Sequence, residues 1–165
     1  MIRPADRPPK RRTRWVFCVL GALCSAAVLC APASKAGSGD LLVIVNASNP
    51  AARLSAAELR SIFQTSKRTW ENGAAIEPVN LPEKSPQRQT FDKVVLGFDP
   101  DSMVRYWIDR RVRGEARPPK KATSPAAVLS MVAGSTGGVG YLPPGSLDKR
   151  VKVVARVTDG AVKLP

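Results

Sequence analysis

"LSAAELRSIFQTSKRTWENGAAIEPVN", residues Leu54 to Asn80, passes from a helical to an extended pattern across one turn-rich stretch. Ser55 and Glu58 have the spacing of a capping box, and Leu54 and Leu59 that of a hydrophobic staple. Leu59, Ile62 and Phe63 then put one apolar stripe on the helix that follows. Asn72-Gly73 is the sharpest bend in "TSKRTWENGAA". "IEPVN" beyond it reads as a strand, with Pro78 marking an edge or a strand end. A capped helix delivering the chain through a turn into a strand is the repeating unit of an α/β sheet.

The same grammar extends in both directions. Upstream, "LLVIVN" (Leu41 to Asn46) is a short, β-branched, buried strand that ends at Asn46, Asn49 and Pro50. Downstream, a helix opens at Ser85-Pro86, shows Phe91, Val94 and Val95 on one face and stops at Gly97. Another runs from about Pro100 to Val112, with Met103, Val104, Trp107 and Ile108 on one face and Asp101 and Arg105 spaced as an i, i+4 pair. Ser124 caps "SPAAVLSMVAG", with Pro125 at the first helical position and Gly134 past the end. "GGVGYLP" is a strand entered through glycines, and "VKVVARV" is a fourth. Strands alternating with helices at this spacing predict a mixed, mostly parallel sheet flanked by helices. There is no internal repeat.

The chain has 165 residues and its first 36 read as a targeting segment. A basic stretch precedes the uncharged run "WVFCVLGALCSAAVLCAPA", and small residues follow, which is the layout of a secretory signal. Cleavage after Ala33 or after Ala36 fits equally. The alternative is an uncleaved anchor, because Trp15 to Ala33 is nearly long enough to span a hydrocarbon core of about 30 Å. The expected organisation is therefore a signal peptide over 1–36 and one α/β domain over 37–165, in the periplasm or secreted.

All three cysteines lie inside the targeting segment and the chain contains no histidine. A Cys/His zinc site, a Ser-His-Asp triad and a Cys-His pair are thereby excluded, so the sequence points away from an enzyme and implies no cofactor. Of the 26 basic and 13 acidic residues, seven and one fall in the first 36, which leaves a net charge of +7 from Gly37 on. That surplus suits an anionic partner. The densest basic run, "RRVRGEARPPKK" (Arg110 to Lys121), has no aromatic residue interleaved, and an exported protein is taken away from most nucleic acid. The run reads as a solvated loop or an interaction surface.

The helix start at Ser85 is the candidate site. A helix N-terminus offers unpaired N–H groups and partial positive charge to an oxyanion. Ser85 supplies a hydroxyl, Gln87 a side-chain amide, and Arg88, one turn in, a guanidinium that could fold back; Lys84 adds field. Asn46 and Ser48 end the first strand, where ligands of α/β sheets gather, and are candidates for the same anion. Against this stands the ordinary cap, in which the Ser85 oxygen accepts from the backbone of Gln87 or Arg88. Ser124-Pro125 behind Lys120 and Lys121 is a lesser helix-start candidate. Trp70 and Trp107 are candidate stacking surfaces, though Trp107 lies on the apolar helix face.

The order of these pieces resembles the phosphate-binding proteins of ABC transporters, within the type 2 periplasmic binding proteins. The resemblance rests on "LSAAELRSIFQTSKRTWENGAAIEPVN", a serine at a helix start, and "GGVGYLP", and covers about Leu42 to Pro143. It implies a single-lobe periplasmic-binding-protein-like domain that binds phosphate or a related oxyanion and works with a membrane transporter or sensor. Where that family places arginine, an acidic residue and Gly-Thr around the serine, this chain has Leu81, Glu83 and Pro86-Gln87. An extracytoplasmic interaction or sensory module of the same fold, without the ligand, is the alternative those departures leave open.

Overall fold

The computed structural model describes residues 39–165 except 116 and 146, so the targeting segment lies outside the described residues. One six-stranded sheet is built from β1 (Leu41–Asn46), β2 (Glu77–Asn80), β3 (Lys120–Lys121), β4 (Gly138–Leu142), β5 (Val151–Thr158) and β6 (Ala161–Lys163). Their spatial order is β3-β2-β4-β1-β5-β6. The helices are α1 (Ala56–Phe63), α2 (Pro86–Phe91), which runs on into a π-helical turn (Asp92–Leu96), α3 (Pro100–Val112) and α4 (Pro125–Ala133).

Each helix begins where its sequence says it should. Ser55, Ser85, Asp99 and Ser124 are N-caps whose side chains accept from the N–H three residues on, and the Ser55–Glu58 capping box is complete. Proline at the first turn of α2, α3 and α4 costs no hydrogen bond, since that N–H has no partner inside the helix. Gly97 closes the π-helical turn with φ 75°, a left-handed conformation that glycine adopts without penalty. The i, i+4 pairing expected of Asp101 and Arg105 is not among the ion pairs of the described residues; Arg113 and Asp109 pair on that helix instead, at 2.7 Å.

The sheet is mixed. β2, β3, β4 and β5 point one way and β1 and β6 the other, so four of six strands share a direction. Because β1 lies between β4 and β5, three of the five neighbouring pairs are nevertheless antiparallel. The cause lies between α1 and β2. The chain there folds into a narrow loop closed by a bridge from Thr69 to Ala75 before β2 begins, so the connection is not a simple crossover and β2 leaves antiparallel to β1.

Successive residues of β4 face opposite sides of the sheet. Gly140 meets Val128 and Val132 of α4, whereas Tyr141 meets Phe63 of α1 and Phe91 of α2. The sheet is therefore sandwiched between α4 and the α1–α2 pair, and central β1 is buried along its whole length. Phe91 stacks on Tyr141 at 3.9 Å between centroids, and Phe63 meets Phe91 edge-on at 4.7 Å. Trp70 is buried and donates its indole N–H to the Gly137 carbonyl at 3.1 Å, which makes it a structural residue.

The loop leaving β1 is pinned to the end of α4. Asn46 donates to the Val132 and Ala133 carbonyls at 3.1 and 3.0 Å and accepts from the Ser48 N–H at 2.9 Å. Those carbonyls are the ones a helix end leaves unsatisfied. Asn49 repeats the device, donating to the Thr136 carbonyl at 3.0 Å.

The glycines before and in β4 allow the close approach of three backbones. A Cβ at Gly137 would overlap the Ala75 carbonyl oxygen, which cannot swing aside as a side chain can. Gly137→Ala is accordingly expected to cost at least the upper part of the roughly 1–3 kcal/mol typical of overpacking. Gly39→Ala, whose added Cβ would meet only the Thr90 methyl at 4.0 Å, should be near neutral. Urea denaturation of both variants measures the contrast, and equal midpoints would disprove the close approach.

Candidate functional site

β2 ends in Asn80, and "LPEKS" carries the chain from there to α2. Ser85 is the N-cap: its hydroxyl donates to the Pro82 carbonyl at 2.7 Å and accepts from the Arg88 N–H at 3.3 Å. Both functions of that oxygen are thus used within the turn. Gln87 is half-buried in the first turn of the helix.

Arg88 folds back onto the protein itself and is 4% exposed. Its Nε lies 2.6 Å from Asp92 Oδ2 and its Nη1 donates to the Leu81 carbonyl at 3.4 Å. The reason is helical spacing: Arg88, Phe91, Asp92 and Val95 share one inward face, so Arg88 is carried toward the sheet and meets a carboxylate four residues on. That i, i+4 signal was present in the sequence. Burial pushes the Asp92 carboxyl above the ordinary aspartate range, against the pull of Arg88. Asp92 Oδ1 is buried with no hydrogen-bond partner among the described residues.

Arg88 and Asp92 contribute to the floor of a cleft of about 370 Å³ between α2, α3 and the segment entering β3. Asn80 also lines it, and the buried Tyr141 hydroxyl donates to the Asn80 side-chain oxygen at 3.3 Å. Burial pushes the Tyr141 phenol far above its ordinary range, so it stays protonated. Lys84, Arg111 and Lys121 add positive charge around the cleft, Glu83 and Asp101 add negative charge, and Met103, Trp107 and Pro118 give it an apolar wall. Lys121 reaches Glu83 at 2.6 Å, joining β3 to the β2–α2 loop, and this hydrogen bond holds Glu83 below the usual glutamate range.

Among the residues expected to hold the oxyanion, Arg88, with Lys84 beside it, lines the cleft. Ser85 and Gln87 lie next to it at the helix start, outside its lining. Asn46 and Ser48 are not brought to the site. β1 runs against β2 and β4, so its carboxyl end, paired near the start of β4, lies at the opposite end of the sheet from Asn80 and Ser85. Ser124 accepts from the Ala127 N–H at 3.2 Å, as a cap does. Trp107 is half-buried in the cleft wall. Asn80, Asp92 and Lys121 were not anticipated in sequence as parts of one site. Among the described residues no group of three His, Cys, Asp or Glu side chains is placed to hold a metal ion, and no helix is long and apolar enough to cross a membrane.

No protein-family model and no curated protein matches the chain. Solved structures do. A putative phosphate ABC transporter substrate-binding protein from Clostridium perfringens, with bound phosphate, is 19% identical over 69% of this chain and 43% of its own, with a TM-score of 0.57. An ABC-type phosphate transport receptor from Vibrio cholerae is 22% identical over 69% and 44%, at 0.55. PstS from Borrelia burgdorferi is 15% identical over 69% and 46%, at 0.55. The chain thus has the solute-binding fold of these proteins and spans less than half the length of each.

Placing a carboxyl in the interior has a pH signature. Since the folded-state pKa of Asp92 is raised above its ordinary 3.8, its contribution to stability is fully present below that pH and declines as pH rises through the folded value. Subtracting the unfolding free energy of Asp92→Asn from that of the wild type isolates this group from the other carboxylates. The difference should fall with rising pH above 3.8; a difference that rises would show the folded pKa to be depressed.

Proposed function

We propose that this solute-binding fold serves an exported binding protein, not an enzyme, and that it holds a small oxyanion, phosphate or a relative of it, in the cleft beside α2. The observation that carries the reading is the gathering of Lys84, Arg88 and Lys121 around one cleft at the carboxyl end of β2. Arg88 is oriented for the task. Its Nε and Nη1 are held by Asp92 and Leu81, while its Nη2 has no protein acceptor among the described residues. A guanidinium fixed by two of its three nitrogens loses little entropy when the third meets an anion. Ser85 and Gln87, at the helix start next to the cleft, would complete the site if the Ser85 hydroxyl exchanged the Pro82 carbonyl for the ligand. The phosphate bound in the Clostridium perfringens protein of the same fold supports this choice, and the transport role named for it and for the Vibrio cholerae receptor supports a membrane transporter as the partner, with a sensor as the alternative.

A second reading has an observation of its own. Ser85 and Arg88 are engaged by the protein itself, as a domain that had dispensed with its ligand would leave them. The chain would then act as an extracytoplasmic interaction or sensory module that meets its partner through the basic segment from Arg110 to Lys121.

Calorimetry of residues 37–165 with phosphate, sulfate and acetate at constant ionic strength separates the two. The first reading predicts a Kd below about 1 mM, near −4 kcal/mol, for at least one of them. It further predicts that Lys84→Ala and Lys121→Ala each weaken binding about tenfold, or roughly 1.4 kcal/mol, without lowering the unliganded melting temperature appreciably. No heat from any of the three anions would end it.

A further inference from the structure

α3 buries Met103 and half-buries Tyr106 and Trp107, yet it leaves a second apolar row in solvent. Val104, Ile108 and Val112 are 51%, 55% and 81% exposed. Spaced at i, i+4 and i+8, they form one ridge along the helix rather than scattered exceptions. Single exposed aliphatic residues are normal on a protein surface; three in line are not. On the helix this ridge has Arg105 on one flank and Arg111 on the other, both exposed and neither in an ion pair among the described residues, with the Asp101 carboxylate beside its amino end. Val104 and Ile108 also form the outer lip of the cleft beside α2. At its carboxyl end the ridge runs into a shallow, open basin lined by Arg68, Arg111 and Arg117, in which Glu115 is the one carboxylate.

We infer that this face of α3 is a docking surface for an acidic amphipathic segment of a partner protein. Aliphatic side chains of that segment lie along Val104, Ile108 and Val112, and carboxylates at one of its ends enter the Arg68–Arg111–Arg117 basin. Charge complementarity selects the occupant. An apolar row bordered by unpaired arginines repels a basic segment and leaves those guanidiniums unsatisfied against a neutral one, whereas an acidic segment satisfies both. The relief of the surface argues for a polypeptide over a bilayer. A ridge with a cleft on one side and a basin at its end is matched by a shaped chain, and the row lacks the exposed aromatic residues typical of helices that lie in a membrane surface. The inference rests on the interaction reading of the chain and is independent of any anion beside Arg88.

The test is a displayed library of random twelve-residue peptides selected on residues 37–165. Enriched peptides are expected to combine aliphatic residues at helical spacing with Asp or Glu at one end, and to lose affinity at least tenfold on both Val104→Asp/Ile108→Asp and Arg68→Glu/Arg117→Glu. Both double variants alter exposed residues, and circular dichroism checks that they fold. Loss of binding on the charge variant alone would keep an interaction surface but overturn the ridge. Peptides that are not acidic, that bind the aliphatic variant unchanged, or that fail to emerge would overturn the inference. So would sedimentation of the wild type with phosphatidylglycerol vesicles, or its dimerisation, if either were abolished by Val104→Asp/Ile108→Asp.

Discussion

The ion pair between Arg88 and Asp92 is the interaction on which the candidate cleft depends. Both partners are withdrawn from water, and withdrawing a charge costs several kcal/mol per ion unless a partner and further hydrogen bonds replace the solvent. Asp92 supplies the partner at 2.6 Å and the Leu81 carbonyl supplies a further contact. Leu81 follows β2 directly, so the guanidinium joins the end of a strand to the second turn of the helix that its loop leads into. Around it the apolar groups do the rest. Phe91, between the two charged residues in sequence, stacks on Tyr141 of β4, and Phe63 of α1 closes the cluster. The cleft has its shape because its floor is fixed in this way.

Much of this was legible in the sequence because helix starts are written locally. Ser55, Ser85 and Ser124 each cap the helix expected of them, and the four longer strands lie within or over "LLVIVN", "IEPVN", "GGVGYLP" and "VKVVARV", the stretches read as strands. β3 is only Lys120 and Lys121, and β6 only Ala161 to Lys163; neither has the length to display alternation, and both exist because a neighbouring strand offers an edge. The direction of β1 could not be read either, since direction is set by where the chain travels between α1 and β2 and not by the residues of the strand. That one geometric fact removes Asn46 and Ser48 from the candidate site. In its actual place Asn46 closes the carboxyl end of α4, and the Ser48 N–H donates to its side-chain oxygen.

On the oxyanion reading, Ser85 and Arg88 serve folding and binding together. A serine cap and an inward arginine are enough to hold α2 against the sheet, and both are used that way here. What remains available to a ligand is the unengaged nitrogen of Arg88 and Lys84, with Lys121 held by Glu83. The opposite wall of the cleft, α3, carries apolar surface on both its faces, one spent on the core and one presented to solvent. The proposed anion in the cleft and the proposed polypeptide on its lip therefore occupy adjacent but separate surfaces.

A double-mutant cycle on that pair tests this view most directly. Unfolding by urea at neutral pH would be followed for Arg88→Met, Asp92→Leu and the variant carrying both. If the pair holds α2 to the end of β2, each single variant strands one buried charge and loses about 3–5 kcal/mol, while the double variant, with an apolar pair in the same space, recovers most of it. Single losses under about 1 kcal/mol that simply add in the double variant are the mark of a solvent-screened pair, and would contradict the account.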